Sequence, residues 1–360
     1  MLKTIGRSVL SLTSRMLWPA ARLYARQGYF SGQDWSGFQP RRIAIVACHW
    51  IGDTFWASQV VPVLAERFPQ ARIFAVTKPF CVDLWAGLIP PAQVIAARAI
   101  VSDRHREAVD WSALRQAAAD LRGRDFDLVI DLTGNRYSAA FSFLLRPAVS
   151  LGFGGDELGW LYSQTVPDAR RSGAHLSEQP FRVIEPLLAG WAQTFAYRLP
   201  LRAPSLTVSP ESQRQKLGLA GSYFVMAPGA GWSEKQWPTA KFIQAGRGLA
   251  MHASGVVVIG SSAQEPLCRE VAAAIPGGKA LAGRAMSEVI ALLAGSAGLL
   301  CNDSGVGHLA AALGVRTAVV FTGVTDPALC RPLGREGVVK VACQDTPIDE
   351  IIYHLRQGGG

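Results

Sequence analysis

Short apolar runs alternate with helical patterns along most of the chain. In the first half, this alternation predicts buried strands at 43–47, 71–76, 93–96 and 127–131. It predicts helices at 54–67 and 111–122. Apolar runs of this kind are typical of strands covered on both faces, and strands that alternate with helices favour a parallel sheet.

The pattern changes near 186–210, where Pro200, Pro204 and Pro210 interrupt it, and a second alternating series follows. The strands predicted there are 223–227, 255–260, 298–301 and 317–321, and the helices are 240–252, 286–294, 307–313 and 348–356. We expect two Rossmann-like, doubly wound α/β domains, at 41–195 and 211–360, joined by a linker at 196–210. Two such domains would face each other across a cleft, with ligands at the carboxyl ends of the strands.

Residues 1–40 differ from the rest in charge. The net charge is +9, and residues 1–42 hold seven basic side chains against the single acid Asp34. Residues 1–30 alternate basic and apolar positions, which predicts a basic amphipathic helix on an anionic membrane surface. The alternatives are an unstructured tail or a helix packed on its own domain. No apolar run is long enough for a spanning helix.

The composition excludes several other classes. With 49% hydrophobic and 18% charged residues, the chain is globular. The six cysteines form no C-x-x-C pair, so they are expected to be reduced core residues of a cytosolic protein, with no metal site. Basic and aromatic residues are not interleaved in the way that is typical of clefts that bind nucleic acid. Asp125 and Asp127 imitate a metal-binding D-x-D motif, but they precede a strand, where solvated or capping carboxylates are expected.

The first candidate motif, Trp50-Ile51-Gly52-Asp53, directly follows the first strand. Gly52 is expected to permit a tight turn. Asp53 is either a helix cap or a carboxylate that acts as a general base.

The second motif, Pro228 to Pro238, follows the strand at 223–227. Its small residues allow backbone N–H groups to approach an anion. Lys235 could neutralise a phosphate and Ser233 could donate a hydrogen bond. The alternative is an ordinary surface loop whose tryptophans pack on the domain.

The third motif runs from Asn302 to Ala310, between a strand and a helix. A helix N-terminus offers unpaired N–H groups and a positive dipole end, which suit a pyrophosphate. Asp303 could then accept hydrogen bonds from sugar hydroxyls. The alternative is an N-cap, Asp303 or Ser304, with His308 as a core residue. A fourth segment, Phe321 to Pro327, is interpreted as a turn.

Together these motifs resemble the bacterial lipopolysaccharide heptosyltransferases of glycosyltransferase family 9. The residues that carry the resemblance are Ile51-Gly52-Asp53, P-G-A-x-x-x-x-K-x-W-P from Pro228, N-D-S-G-x-x-H-L-A-A-A-L-G from Asn302, and F-T-G-V-T-D-P from Phe321. It covers about 41–355 and leaves 1–40 outside. The resemblance implies a GT-B fold with an N-terminal acceptor domain and a C-terminal donor domain. It also implies inverting transfer of heptose from ADP-heptose to a lipopolysaccharide core or related glycolipid acceptor, without a metal or other cofactor.

The resemblance assigns roles by matching position. Asp53 would be the general base, Lys235 would contact the donor phosphates and Asp303 would hold the heptose. The residues expected to line the pyrophosphate are Ser304, Gly305 and His308. The remaining donor-binding candidates are Gly229, Ser233, Gln264 and Glu265.

Two features separate this chain from the family pattern. The family often has an acid four residues after the glycine that ends the next strand, to bind the ribose. Here Gly260 is followed at that distance by Gln264, with Glu265 next to it. In the first motif, Trp50 and Trp56 flank Asp53 and are expected to shape a different acceptor pocket. The acceptor-binding candidates are Trp50 and Gly52.

Other functions remain open from the sequence. A transferase of the same fold could use another nucleotide-sugar or acceptor, and a non-catalytic nucleotide-binding scaffold could retain the fold. The joint presence of Asp53, Lys235 and Asp303 argues against the scaffold. A dinucleotide-dependent oxidoreductase is disfavoured because no G-x-G-x-x-G follows the first strand. The expected location is cytoplasmic, with peripheral contact at the inner membrane.

Overall fold

The first residues with a described position already pack on the protein. The structure is a computed structural model that describes residues 35, 37–100, 110–154, 158–167, 173–188 and 201–357. The predicted amphipathic helix within 1–30 and the first part of the predicted linker, 196–200, lie outside these residues. Packing begins before residue 41, because Trp35 is buried and its carbonyl accepts a hydrogen bond from the Arg67 guanidinium at 3.2 Å.

The first half of the chain forms a six-stranded parallel sheet in the order β3-β2-β1-β4-β5-β6. Its strands are β1 (Arg42–Ala47), β2 (Arg72–Thr77), β3 (Val94–Ala96), β4 (Leu128–Asp131), β5 (Val149–Phe153) and β6 (Gln164–Val166). In the register at the centre, Ile43 of β1 lies opposite Ile73 and Leu128. The predicted strands of this half are confirmed, and β5 and β6 are additional.

The second half forms another parallel sheet, in the order β12-β11-β10-β7-β8-β9. Its strands are β7 (Tyr223–Ala227), β8 (Gly255–Gly260), β9 (Gly278–Ala282), β10 (Gly298–Asn302), β11 (Thr317–Phe321) and β12 (Val339–Cys343). Both sheets have the same strand order, which reverses direction beside the first strand of each. In such doubly wound sheets, ligands bind where the order reverses, here between β1 and β4 and between β7 and β10.

Helices connect the strands. They are α1 (Ile51–Ser58), α2 (Val61–Arg67), α3 (Trp111–Arg122), α4 (Arg136–Leu144), α5 (Gln179–Leu188), α6 (Pro210–Lys216), α7 (Thr239–Ala250), α8 (Glu265–Ala273), α9 (Met286–Ala294), α10 (Gly305–Ala312), α11 (Pro327–Cys330) and α12 (Ile348–Arg356). The prediction of a single helix at 54–67 is wrong, because this segment forms two helices, α1 and α2. Pro62 occupies the first turn of α2, where its missing N–H costs no intrahelical hydrogen bond.

The chain divides into two compact units, each with its own apolar core. One unit contains β1 to β6, and the other contains β7 to β12 together with Trp50–Phe55. The first core includes Val46, Val129 and Phe141, and the second includes Met226 and Phe242. Trp50–Phe55 thus group by their contacts with the second unit, although they follow β1 in the chain.

The structure also tests the smaller predictions. Asp127 accepts hydrogen bonds from the N–H groups of Arg41 and Arg42, both at 2.8 Å, and so binds the backbone at the start of β1. Five cysteines are buried as predicted, but Cys343 is exposed because it ends the edge strand β12. No helix among the described residues is both long and apolar enough to span a membrane.

Candidate functional site

Two loops meet where the strand order of the second sheet reverses. The loop after β7, residues 228–238, is held by Asn302, the last residue of β10. The amide of Asn302 donates to the Pro228 carbonyl at 2.7 Å and accepts from the Trp237 N–H at 2.9 Å. Asn302 is fully buried, so these hydrogen bonds fix both ends of the loop.

A charged cluster lies between these loops. The Lys235 ammonium is 2.5 Å from Oδ2 of Asp303, and the Thr325 hydroxyl donates to the same oxygen at 2.7 Å. The Asp303 side chain is 9% exposed and that of Lys235 is 16% exposed. Removing either partner from such a pair leaves a charge poorly solvated, which is strongly destabilising. The cluster therefore keeps a cation and an anion in one small volume at the sheet edge.

The tryptophans of the loop after β7 have different roles. Trp237 is buried, and its indole N–H donates to the Gln344 carbonyl at 3.0 Å. The Lys235 ammonium lies 4.7 Å from the centre of the Trp232 ring. Trp237 thus packs on the domain, as expected for an ordinary surface loop. Lys235, in the same loop, is directed toward Asp303. Ser233 is exposed and donates to Glu234 at 3.0 Å, outside the cluster.

The N-terminus of α10 lies against the N-terminus of α1. A Cβ atom built on Gly52 would be 2.8 Å from Cδ2 of His308, and one built on Gly305 would be 2.7 Å from the backbone nitrogen of Gly52. Gly52 lies within α1, and its φ is not in the left-handed region, so the predicted tight turn is wrong. The glycines are required for close approach, because any side chain would separate the two helix starts.

Asp53 lies in the first turn of α1 and is half-buried. A carboxylate there interacts favourably with the helix dipole, so the structure leaves both roles considered for it open. Its neighbour Gly52 contacts His308 and Gly305, which brings the chain at residue 53 close to the start of α10. Trp50 is half-buried and directly precedes α1, and Ser304, in an extended conformation, directly precedes α10.

Gln264 contacts the loop after β7, whereas Glu265 contacts Arg269. Gln264 accepts from the Ser261 N–H at 3.0 Å and donates to the Ala230 carbonyl at 3.2 Å. A Cβ on Gly229 would collide with the Gln264 amide, so Gly229 is needed for this contact. Glu265 is exposed at the start of α8 and pairs with Arg269 at 2.5 Å.

Two residues of the site were not predicted as functional. Asn302 could have been found from its position, since a polar residue that ends a buried apolar strand requires partners. Thr325 lies in Phe321 to Pro327, a motif that carries the family resemblance, but the turn-like composition of this motif indicates no role for any single residue in it. Among the described residues, no three His, Cys, Asp or Glu side chains are grouped to hold a metal ion.

Comparisons with known proteins agree with this architecture. The model of glycosyltransferase family 9 (heptosyltransferase) matches residues 114–347. The chain is 24% identical to lipooligosaccharide heptosyltransferase 2 of Haemophilus influenzae, over 82% of this chain and 87% of that protein. It is 26% identical to lipopolysaccharide heptosyltransferase 1 of Pseudomonas aeruginosa, over 82% of each.

Solved structures show the same fold. The structure of Escherichia coli ADP-heptose lipopolysaccharide heptosyltransferase II matches with a TM-score of 0.72 at 20% identity, over 88% of this chain and 98% of that chain. Escherichia coli heptosyltransferase WaaC with ADP matches with a TM-score of 0.67 at 19% identity, over 88% and 100%. The two parallel sheets are thus those of a GT-B fold. Since the family model matches well over half of its length, the chain belongs to glycosyltransferase family 9, the heptosyltransferases.

Proposed function

We propose that this chain transfers a heptose from ADP-heptose to a lipopolysaccharide core acceptor, with inversion at the anomeric carbon. The observation that carries the proposal is the Lys235–Asp303 pair, which lies between β7 and β10 where the strand order reverses. The names of the family and of its heptosyltransferase members support the sugar, and the ADP in the WaaC structure supports the nucleotide.

The diphosphate of the donor would bind at the start of α10. The first N–H groups of a helix have no intrahelical acceptor, and the helix dipole places positive charge there. Because α1 also begins at this point, two positive helix ends lie side by side, an arrangement that an anion stabilises. In this proposal Ser304, Gly305 and His308 line the pyrophosphate.

Lys235 would bind the phosphates of the donor, and Asp303 would bind its sugar. The ammonium has three N–H donors, so Lys235 can reach a phosphate oxygen while it stays beside Asp303. Asp303, as an acceptor, suits the hydroxyl groups of the sugar. The ribose would lie near Gln264 and the loop at Gly229, which Gln264 already contacts.

Asp53 would act as the general base. As the acceptor oxygen bonds to the anomeric carbon, its proton passes to the Asp53 carboxylate, and the bond from that carbon to the β-phosphate oxygen breaks. ADP leaves with the electron pair, and Lys235 and the start of α10 stabilise the charge that develops on the phosphate. A single displacement of this kind inverts the configuration.

The acceptor and the cellular location complete the proposal. Residues 41–195 would form the acceptor domain and 211–360 the donor domain, with Trp50 and Gly52 close to the acceptor. Residues 1–40, which are rich in basic side chains, would contact the anionic cytoplasmic face of the inner membrane while the chain itself remains cytoplasmic.

The test is a transfer assay on the purified full chain, with ADP-heptose and a truncated lipopolysaccharide core and with mass spectrometry of the product. UDP- and GDP-sugars serve as competing donors, and a product formed only from one of them would refute heptose transfer.

The same assay tests Asp53. We expect Asp53→Asn to lower kcat by about 10²- to 10⁴-fold, the usual contribution of a general base, because the amide cannot take the proton. Its dissociation constant for ADP, measured by calorimetry, should stay within about twofold of the wild type. An unchanged kcat would contradict the assignment.

A further inference from the structure

The Thr325 side chain contacts Asp303, whose carboxylate binds the donor sugar in the proposed function. Its hydroxyl donates to Oδ2 of Asp303 at 2.7 Å, and Lys235 is 2.5 Å from that same oxygen. Among the described residues, no donor is hydrogen-bonded to Oδ1. The two contacts therefore hold one carboxylate oxygen and leave the other for a ligand.

The arrangement restricts the orientation of the carboxylate. Each carboxylate oxygen accepts about two hydrogen bonds in the plane of the group. With both positions on Oδ2 taken from different directions, rotation about the Cβ–Cγ bond would break two charge-assisted contacts. Since the Asp303 side chain is only 9% exposed, little water is present to replace them.

The segment that carries Thr325 is anchored at both ends. At one end, the Thr322 hydroxyl donates to the Glu234 carbonyl at 2.7 Å, within the loop that carries Lys235. At the other end, Asp326 caps α11 by accepting from the Ala328 N–H at 2.8 Å. Neither contact uses the Thr325 side chain, whose hydroxyl donates to Asp303 and also interacts with the Cys330 thiol at the end of α11.

We propose that Thr325 is a positioning residue for sugar recognition: it directs Oδ1 of Asp303 toward the hydroxyls of the donor sugar. The proposal deepens the proposed function and rests on it, because it assumes a nucleotide-sugar at this site. It separates recognition of the sugar from recognition of the nucleotide. The nucleotide depends on helix N-termini and Lys235, whereas the sugar depends on a carboxylate whose orientation Thr325 sets.

The experiment compares Thr325→Val with Thr325→Ser. Valine keeps the branched shape and removes the hydroxyl, and serine restores the hydroxyl without the methyl group. Binding of ADP and of ADP-heptose is measured by calorimetry without acceptor, and KM and kcat are measured in the transfer assay. A melting curve in the presence of ADP checks that each variant is folded.

We expect Thr325→Val to weaken ADP-heptose binding by about tenfold and to change ADP binding by less than twofold, with Thr325→Ser restoring most of the loss. In an Asp303→Ala background, Thr325→Val should have no further effect on ADP-heptose, because the effect acts through Asp303. Equal losses for ADP and ADP-heptose, or no loss for either, would overturn the proposal. Failure of the proposed function would look different, since the wild type itself would then form no product from ADP-heptose in the transfer assay.

Discussion

Asp131 ends β4 as a fully buried carboxylate. Its Oδ1 accepts from the N–H groups of Thr133 and Gly134 at 2.8 and 3.2 Å, and its Oδ2 accepts from the Tyr162 hydroxyl at 2.6 Å. Burial raises the pKa of Asp131 above its usual value, and the hydrogen bonds, that of Tyr162 first, lower it by less. Asp131 therefore links the loops after β4 and β5 at an electrostatic cost.

This cost predicts a pH dependence of stability. Because the folded pKa of Asp131 is raised, the folded state keeps a proton over a pH range where the unfolded state has lost it. Stability therefore falls as pH rises above the unfolded value of about 4 and through the folded pKa. Asp131→Asn, which is neutral throughout, should gain stability relative to the wild type between pH 3, below the unfolded pKa, and pH 8 in urea unfolding. A stability difference that is the same at both pH values would contradict this.

A second variant acts in the opposite direction. Tyr162→Phe removes the hydrogen bond that most favours the charged form of Asp131, so its folded pKa should rise further. Its stability should decline more steeply than that of the wild type over the same pH interval. In the Asp131→Asn background, this added pH dependence should disappear.

Among the helices and strands, the close approach of α1 to α10 depends on glycine at two positions. At both Gly52 and Gly305, a side chain would be closer than 3 Å to the other helix. Periodicity predicted a helix at each place but began both of them too late, at 54 and at 307 instead of Ile51 and Gly305. Glycine lowers the helical signal in the first turn, although the tertiary contact favours it there.

Gly305→Ala should therefore be costly. The new Cβ would be 2.6 Å from Cβ of Ile51 and 2.7 Å from the backbone nitrogen of Gly52, and neither atom can move without a shift of α1. We expect a loss of about 1–3 kcal/mol in the free energy of unfolding, as is usual for overpacking, together with weaker ADP binding.

Gly123→Ala is the matched control. Gly123 follows α3, has an ordinary helical φ and has no atom within 4 Å of its built Cβ. Its unfolding free energy in urea should stay within about 0.5 kcal/mol of the wild type, with unchanged ADP binding. If both alanine variants behaved alike, the close approach would not constrain the helix starts.

Periodicity predicted the edge strand β3 but missed the other edge strands, β6, β9 and β12, and the inner strand β5, for a related reason. The edge strands β9 and β12 are largely half-buried or exposed, so they lack the continuous apolar run of the central strands. Inner strand β5 is fully buried but contains Ser150 and Gly152. Gly152 is required because the Tyr162 ring occupies the position of any side chain there. In each case the composition reflects a neighbour that is distant in sequence.

For the chain as a whole, the two units have the same strand order but different proposed ligands. The residues proposed to bind the donor all lie in the second unit, which includes Trp50–Phe55. Hydrogen exchange should reflect this division. Saturating ADP should slow amide exchange at 229–235, 303–307 and 51–55, because ligand contact lowers the population of locally open states.

The reference peptides are those of β2 and α3, in the first unit, whose exchange should change little on addition of ADP. Mass spectrometry of peptides from a time course with and without ADP measures both sets. Protection that appeared in β2 and α3 but not in the loops after β7 and β10 would place the nucleotide elsewhere.

The amino-acid sequence by itself determined the two series of buried strands and helices, and it indicated Asp53, Lys235 and Asp303 as candidates. These features are encoded in continuous segments, since apolar runs, glycines and polar strand ends act locally. Only the tertiary structure decided that Lys235 pairs with Asp303 across 68 residues, that Thr325 holds the same oxygen and that Gly52 contacts His308. Such contacts join residues that are far apart in the chain, and they leave no periodic pattern in the sequence. They form only when the sheet brings the ends of its strands together.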